Sequence, residues 1–573
     1  MGFDNLMVSF DRVVTDVLGQ WDIYSTVLFG SVVTFFIYSV INSRDPDAHP
    51  MLLARQAQPS PVRRQGESAV YRSHSAPHGI PLNSGLNVKD PGASKWARGR
   101  DGDLRDIWRK VVSGPTDNEG KSSGEPGTIS TVLGSEKVIK HDIAEITRSI
   151  NLIGQHIKQN GASNVAIYLP NSVEFLATLF AGAFYDLTII LLPYEQSPES
   201  IVSLLKQSNA DTVVAAAGSF PFDGVAKNYP ALKQVIWVVD EGNKHLDWNE
   251  VPTGTGGAVN VSTWQEIIQD QPVKSGTELP ALTKEQVAPK PVLAFWPLKG
   301  SASYELVEYS NSNIIAGVAA QLAGVSNTAR FGPSDTFLAA DSLSTVYPLV
   351  LTLTALFSNC SLVLNSVAGR SPDLVLATQG AAPTVIVASS STLAKTHAET
   401  AQKLNSSSLY KGIHWLQTRT LVQNGVMPVA SFLSRMYDSL RPVIGTTPGK
   451  LRLIYVSDQA GAESTPLSGR ILSDLRIYTG ARVIYALTAS KVAGAVSQTG
   501  MYDYRITDPT EKYSHFGAPL SSVEVFFKDT KDHKTTDESA AGEIVARGPA
   551  VVGGEAALGV SGRLLSDHTL AYV

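Results

Sequence analysis

Apolar positions fall into three successive patterns along this chain. Residues 21–41, WDIYSTVLFGSVVTFFIYSVI, form a nearly unbroken apolar run with one charge, Asp22, near its edge. As a helix rising 1.5 Å per residue, such a run covers about 30 Å, one hydrocarbon thickness. Trp21, Tyr24 and Tyr38 lie toward its ends, where amphipathic rings favour headgroups. Asp4, Asp11 and Asp16 stand upstream in place of the basic stretch of a cleaved leader. The pattern predicts a transmembrane helix over 21–41 behind a short extracytosolic segment, 1–20. Only Arg12 precedes the span, whereas Arg44, Arg55, Arg63 and Arg64 follow it, so the large remainder is expected to face the cytosol. The expected location is a single-pass membrane protein, with the endoplasmic reticulum as the membrane.

Residues 42–127 are rich in Pro, Ser, Gly and Arg and keep no sustained apolar period, which predicts a flexible basic linker, either solvated or lying against anionic lipid. Within it Leu104, Ile107, Trp108 and Val111 recur at helical spacing, so a short amphipathic helix is expected to dock on the domain or on the membrane. Past Thr128 helices and strands alternate. Ile143, Ile146, Ile150, Ile153 and Ile157 make one helical face, residues 164–169 read as a buried strand, 173–183 as a helix, and 188–192, 211–216 and 234–239 as further strands. This alternation predicts an α/β domain over 128–573, with parallel sheets flanked by helices.

Composition narrows the chemistry. With 43% apolar and 17% charged residues the chain is not mostly disordered, and a net charge of -5 provides no overall basic field for nucleic acid. A single cysteine, Cys360, excludes an intrachain disulfide and a cysteine metal cluster; its apolar surroundings predict a buried structural thiol. Gly254-Thr255-Gly256-Gly257 has no following Lys-Ser/Thr and reads as a loop; no His pair has metal spacing and no Gly-x-Ser-x-Gly elbow occurs, so no metal site is expected.

The order Val165-Ala166-Ile167-Tyr168-Leu169-Pro170-Asn171-Ser172-Val173-Glu174-Phe175, Ala181-Gly182-Ala183 and Leu192-Pro193 is similar to the opening of the adenylate-forming (AMP-binding) superfamily, the acyl-CoA synthetases and fatty acyl-AMP ligases. Residues 348–364, 451–483, Phe516-Gly517-Ala518-Pro519 and 542–549 continue the resemblance in order. It implies that family's N-terminal domain, including its late β-rich part, with the small C-terminal lid domain absent. It also implies ATP-dependent activation of a carboxylate, usually passed on to CoA, with ATP/Mg and CoA as cofactors if the chain is active.

The family's phosphate loop falls on 296–306, where Ala302, Tyr304 and Leu306 replace Gly, Pro and Gly, and Glu305 stands at the lysine position. A Cβ obstructs the positive-φ turns that wrap phosphate, and Glu305 sets negative charge against negative charge. Lys299, Gly300, Ser301, Ser303 and Glu305 are thus a degenerate phosphate loop, and Lys299, Ser301 and Ser303 are the candidates for a weaker anion site. Tyr-Gly-x-Thr-Glu appears as Tyr485-Ala486-Leu487-Thr488-Ala489, which makes Tyr485, Thr488 and Ser301 the candidate cofactor-binding residues and leaves Ala489 where a carboxylate would hold Mg²⁺. The ribose-gripping aspartate aligns with Ala557, with Glu555 as its alternative, and Asp567-His568-Thr569-Leu570 resembles the segment before the family hinge. The expected function is a membrane-anchored, catalytically impaired synthetase-like protein that binds an acyl chain, a nucleotide or a protein partner besides the lipid around its anchor. The alternatives are an active long-chain fatty acid-CoA or acyl-AMP ligase with divergent motifs, and a membrane scaffold.

Overall fold

The computed structural model describes residues 15–16, 19, 21–42, 44–89, 93–94, 96–116, 124–133, 137–239, 259–281, 287–301, 303–327, 329–366, 373–428, 435, 438–447, 450–506, 511–536 and 540–573. The glycine-rich loop at 254–257 and Ala302 lie outside them.

Helix α1 (Ile23–Asn42) is 20 residues long and contains no charge. Eleven of its large apolar side chains are exposed, among them Phe35 at 69% and Phe36 at 67%. Among the described residues no helix is long and apolar enough to cross a membrane, so the crossing expected over 21–41 is not established by the fold alone.

The chain beyond α1 corrects the reading of 42–127 as a flexible linker. Helix α2 (Pro50–Ala54), strands β1 (Ala57–Pro59) and β2 (Tyr71–Ser73) and helix α3 (Leu104–Ser113) are all laid onto the domain. Periodicity misses the strands because each is only three residues long. Polar partners replace the apolar stripe. Arg72 pairs with Glu524, Arg100 forms a bidentate pair with Asp106, and Gln56 donates to Asp503 at 2.6 Å. Helix α3 opens on an Asp103–Asp106 capping box. Of its two expected docking surfaces it takes the domain: Leu104, Ile107 and Trp108 are buried, Trp108 Nε1 donates to Thr147 at 3.1 Å, and its ring meets Phe180 at 5.0 Å.

The domain then unrolls as β3 (Ile129–Leu133), β4 (Lys137–His141), α4 (Ile143–Gln159), β5 (Asn164–Tyr168), α5 (Val173–Tyr185), β6 (Thr188–Leu191), α6 (Pro198–Ser208), β7 (Thr212–Ala216), α7 (Phe222–Asn228) and β8 (Gln234–Val238). There follow β9 (Asn260–Thr263), α8 (Trp264–Gln269), β10 (Val292–Pro297), β11 (Tyr304–Tyr309), α9 (Asn311–Ala323), β12 (Thr336–Ala339), α10 (Val346–Phe357) and β13 (Ser361–Asn365). The last helices and their strands are α11 (Leu374–Thr378), β14 (Val385–Ser389), α12 (Ser390–Leu404), α13 (Ser408–Asn424), β15 (Leu453–Gln459), α14 (Gly469–Thr479) and β16 (Arg482–Thr488). Strands β17 (Ser497–Gln498), β18 (Ala518–Pro519), β19 (Glu524–Lys528), β20 (Ala541–Arg547), β21 (Glu555–Leu564) and β22 (Leu570–Tyr572) complete it.

These strands make three sheets. A seven-stranded sheet runs β11-β10-β6-β5-β7-β8-β9 and a nine-stranded one β18-β17-β16-β15-β14-β12-β13-β3-β4. Their interiors are parallel, as βα alternation requires. The isoleucines of α4 at 146, 150, 153 and 157 are buried where the helix packs on α5, α8 and α3, and Asp142 caps the helix through Ala144 N–H. Cys360 is buried as expected, and desolvation pushes its thiol pKa up. The antiparallel six-stranded sheet, β1-β2-β19-β20-β21-β22, is the β-rich part, and the supposed linker supplies two of its strands.

Candidate functional site

In an open α/β sheet, ligands bind in the crevice outside the carboxyl ends of the strands. Here that crevice gathers residues from the ends of four neighbouring strands: Asp341 after β12, Ser389 and Ser390 at the end of β14, Asp458 in the last turn of β15, and Thr488 to Lys491 at the end of β16. The hairpin β10–β11 is the segment expected to be the phosphate loop. Its strands pair from Val292↔Tyr309 to Pro297↔Tyr304, so residues 304–306 lie in a strand and only 298–303 are left to turn.

Strand alternation decides what each replacement does. Tyr304 and Leu306 pack against the core of the seven-stranded sheet, and Tyr304 also meets Phe295 edge-on. Glu305 points the other way and pairs with Lys491 Nζ at 3.4 Å. Nearby, Trp296 Nε1 donates to the Tyr309 hydroxyl at 2.7 Å, and that hydroxyl donates onward to the Ser490 carbonyl. The hairpin is thereby fastened to residues 490–491. In the turn, Gly300 takes a positive φ of 68°, and its N–H donates to Glu463 Oε1 at 3.3 Å. Lys299, Ser301 and Ser303 are exposed, and the Ser301 hydroxyl accepts from Ser303 N–H at 3.1 Å.

The second candidate group is occupied within the protein. Tyr485 is fully buried; its hydroxyl donates to Asp458 Oδ2 at 2.8 Å and accepts from Leu467 N–H at 2.9 Å. The Thr488 hydroxyl donates to the Asp458 carbonyl at 3.0 Å. The fold thus brings Lys491 beside the hairpin, while Thr488 is bonded to β15 and Tyr485 lies against Phe516. Ala489 is buried and carries no oxygen ligand.

Two further carboxyls sit at the start of α12. Desolvation raises Asp458 to about 6 against hydrogen bonds from Tyr485 and Ser390, and raises Asp341 to about 7 against hydrogen bonds from Ser389 and Thr392. The amino end of a helix attracts anions, and here the chain's own carboxyls already lie beside it. A cleft of about 440 Å³ next to the hairpin's foot is lined by nine residues, of which Glu308 is the only charged one. Its lining therefore offers a phosphate no cation.

Sequence reasoning misses Glu463, Lys491, Asp341 and Asp458. Lys491 has a signal: it follows two residues after Ala489, where the resemblance implied a glutamate, just as Glu305 stands where it implied a lysine. Glu463, in a polar loop, has none. Among the described residues, the two expected at the ribose position make no hydrogen bond or ion pair with the crevice strands. Ala557 is exposed, and Glu555 is paired with Lys528 at 2.9 Å. The β21 residue that faces the loop after β15 is Val560, whose Cγ1 would lie 3.9 Å from a Cβ on Gly461. Among the described residues no group of three or more His, Cys, Asp or Glu side chains could hold a metal ion.

No protein-family model and no curated protein sequence matches the chain. Solved structures do. The anthranilate CoA ligase AuaEII in complex with anthranoyl-AMP is similar with a TM-score of 0.57 and 13% identity, covering 82% of this chain and 77% of that one. A long-chain-fatty-acid-CoA ligase (FadD1) from Archaeoglobus fulgidus gives a TM-score of 0.56 at 12% identity over 86% of each chain. VinN in complex with L-aspartate gives 0.54 at 14% identity, over 82% of this chain and 98% of that one. The fold is that of the adenylate-forming acyl- and aryl-CoA ligases.

Proposed function

We propose that this ligase fold serves a membrane-anchored protein that binds an acyl chain or a protein partner and no longer adenylates a carboxylate. One observation carries the reading: the amide of the positive-φ Gly300 is held by the chain's own Glu463 carboxylate. A triphosphate needs backbone N–H donors, a cation and usually Mg²⁺ against its charge. Here the donor faces a carboxylate, Lys491 is paired with Glu305, and Ala489 supplies no metal ligand. Nucleotide would have to displace one internal anion and outcompete another. The anchor is supported by the exposed apolar surface of α1 and the cytosolic orientation by the arginines that come after it. The endoplasmic reticulum remains the membrane we assign.

A second reading, an active ATP-dependent long-chain fatty acid-CoA or acyl-AMP ligase using ATP, Mg²⁺ and CoA, is favoured by the retained Thr488 and by Lys299, exposed at the turn with Ser301 and Ser303 beside it. A scaffold role, in which the anchor and the folded surface only recruit partners, is the third. Purified protein with Mg-ATP and a panel of fatty acids separates them by pyrophosphate release. The expected result is no release above background, with an acyl chain raising the melting temperature in the absence of nucleotide. Robust release that Thr488→Ala abolishes would establish the ligase instead. Stoichiometric capture of one protein without any ligand favours the scaffold.

A further inference from the structure

Helix α13 (Ser408–Asn424) packs on α14 through its inner face: Ile413 and Leu421 are buried, and His414 Nε2 meets Asp474 Oδ1 at 2.9 Å. A helix held this way usually turns a polar face to water. This one does not. Leu409 is 58% exposed, Trp415 61% and Leu416 37%, on an outer stripe that also carries Lys411 and Arg419, with the Arg419 guanidinium 5.7 Å from the Trp415 ring. No Asp or Glu occurs anywhere in the helix. An exposed tryptophan and leucines, with two cations and no carboxylate beside them, suit contact with an anionic membrane surface.

The position of α13 in the chain points to the same membrane. Asp47 N–H donates to the carbonyl of Gly425, the residue that closes α13, and the Asp47 carboxylate accepts from Tyr504 at 2.7 Å and from Met427 N–H at 3.4 Å. Helix α1 ends at Asn42, and five residues of extended chain cover at most about 18 Å. The end of α1 therefore lies within that reach of Asp47, which is bonded to the end of α13. The structure assigns α13 as a second membrane contact: its Leu409–Trp415–Leu416 face rests in the headgroup region of the anionic leaflet that α1 enters, and Lys411 and Arg419 attract that leaflet's charge. This inference rests on the reading of α1 as membrane-embedded, and it makes the domain lie on the bilayer in one orientation.

The test uses the full chain reconstituted in vesicles of phosphatidylcholine and phosphatidylserine. An environment-sensitive fluorophore is attached at Leu409→Cys, or at Lys227→Cys on α7 as a reference, while the native Cys360 is buried. Lipid-borne quencher is expected to quench the 409 label several-fold more than the 227 label. Trp415→Glu with Leu416→Glu brings the two level, and Lys411→Glu with Arg419→Glu removes the dependence on phosphatidylserine. In every variant the chain stays with the vesicles through an alkaline wash. Retention with no excess quenching at 409 overturns the second contact and leaves the anchor standing. Loss in alkali with strong quenching at 409 before the wash supports α13 as a contact and overturns the embedded α1. Neither retention nor quenching overturns both.

Discussion

Glu463 reaches from the loop after β15 to the backbone N–H of Gly300, where its Oε1 accepts a hydrogen bond at 3.3 Å. Together with Glu305–Lys491 this contact holds the hairpin turn down on the crevice. An exposed hydrogen bond to a charged group contributes about 1 to 2 kcal/mol, enough to set local opening without governing global stability. Glu463→Ala is therefore expected to speed hydrogen exchange of the amides in 298–303 by about tenfold and to leave the melting temperature nearly unchanged. Unaltered exchange in the variant would show that the carboxylate does not hold the turn.

Asp458 gives the site a pH signature. Burial raises its pKa from 3.8 to about 6, so between those values the folded chain keeps a proton that the unfolded chain has lost. Its contribution therefore turns unfavourable as pH rises through that window and is fully unfavourable above it. Asp458→Asn keeps an acceptor for Tyr485 and removes the penalty; it is expected to gain on the order of 3 kcal/mol over the parent at pH 8 and nothing near pH 3.5. Urea midpoints across the pH range measure both.

Trp108 distinguishes a docked helix from a tether. Its side chain is fully buried against Phe180 and bonded to Thr147. Trp108→Ala should cost about 3 to 5 kcal/mol in denaturant unfolding, as for an aromatic residue lost from a core. A mobile linker would register almost nothing.

Glu524 ties β2 to the six-stranded sheet, buried between Arg72 and Arg547. Glu524→Gln leaves two guanidinium groups without their counter-charge and should cost about 3 to 5 kcal/mol. Limited proteolysis is expected to cut residues 60–67 sooner in the variant. Pairing Glu524→Gln with Arg547→Leu should recover part of the loss, because one stranded charge is removed.

The βα core was legible because it rests on repeating burial. The isoleucines of α4 and the apolar runs of β5, β6 and β7 announce themselves at periods of 3.6 and 2. Trp108 and its helical neighbours were legible too, although spacing alone leaves open which surface they cover. Strands β1 and β2 were not, since three residues cannot establish a period, β1 pairs only with β2, and β2 joins β19 through backbone pairing and the Arg72–Glu524 pair. The departures from the family pattern expected at Ala302, Tyr304, Glu305, Leu306 and Ala489 are read from residue type. Glu463 on the Gly300 amide depends on where two distant loops meet, which no local pattern encodes.

Gln56 donates its side-chain amide to Asp503, 447 positions further along the chain. His568 closes the same seam on Ala57 at 2.8 Å. During synthesis the first strands of the β-rich sheet therefore emerge long before their partners on β19 exist, and their edges must wait uncovered. Such distant closure slows folding and exposes aggregation-prone edges. Nascent chains halted before β19 should be held by chaperones, and release should coincide with the appearance of β19 and β20.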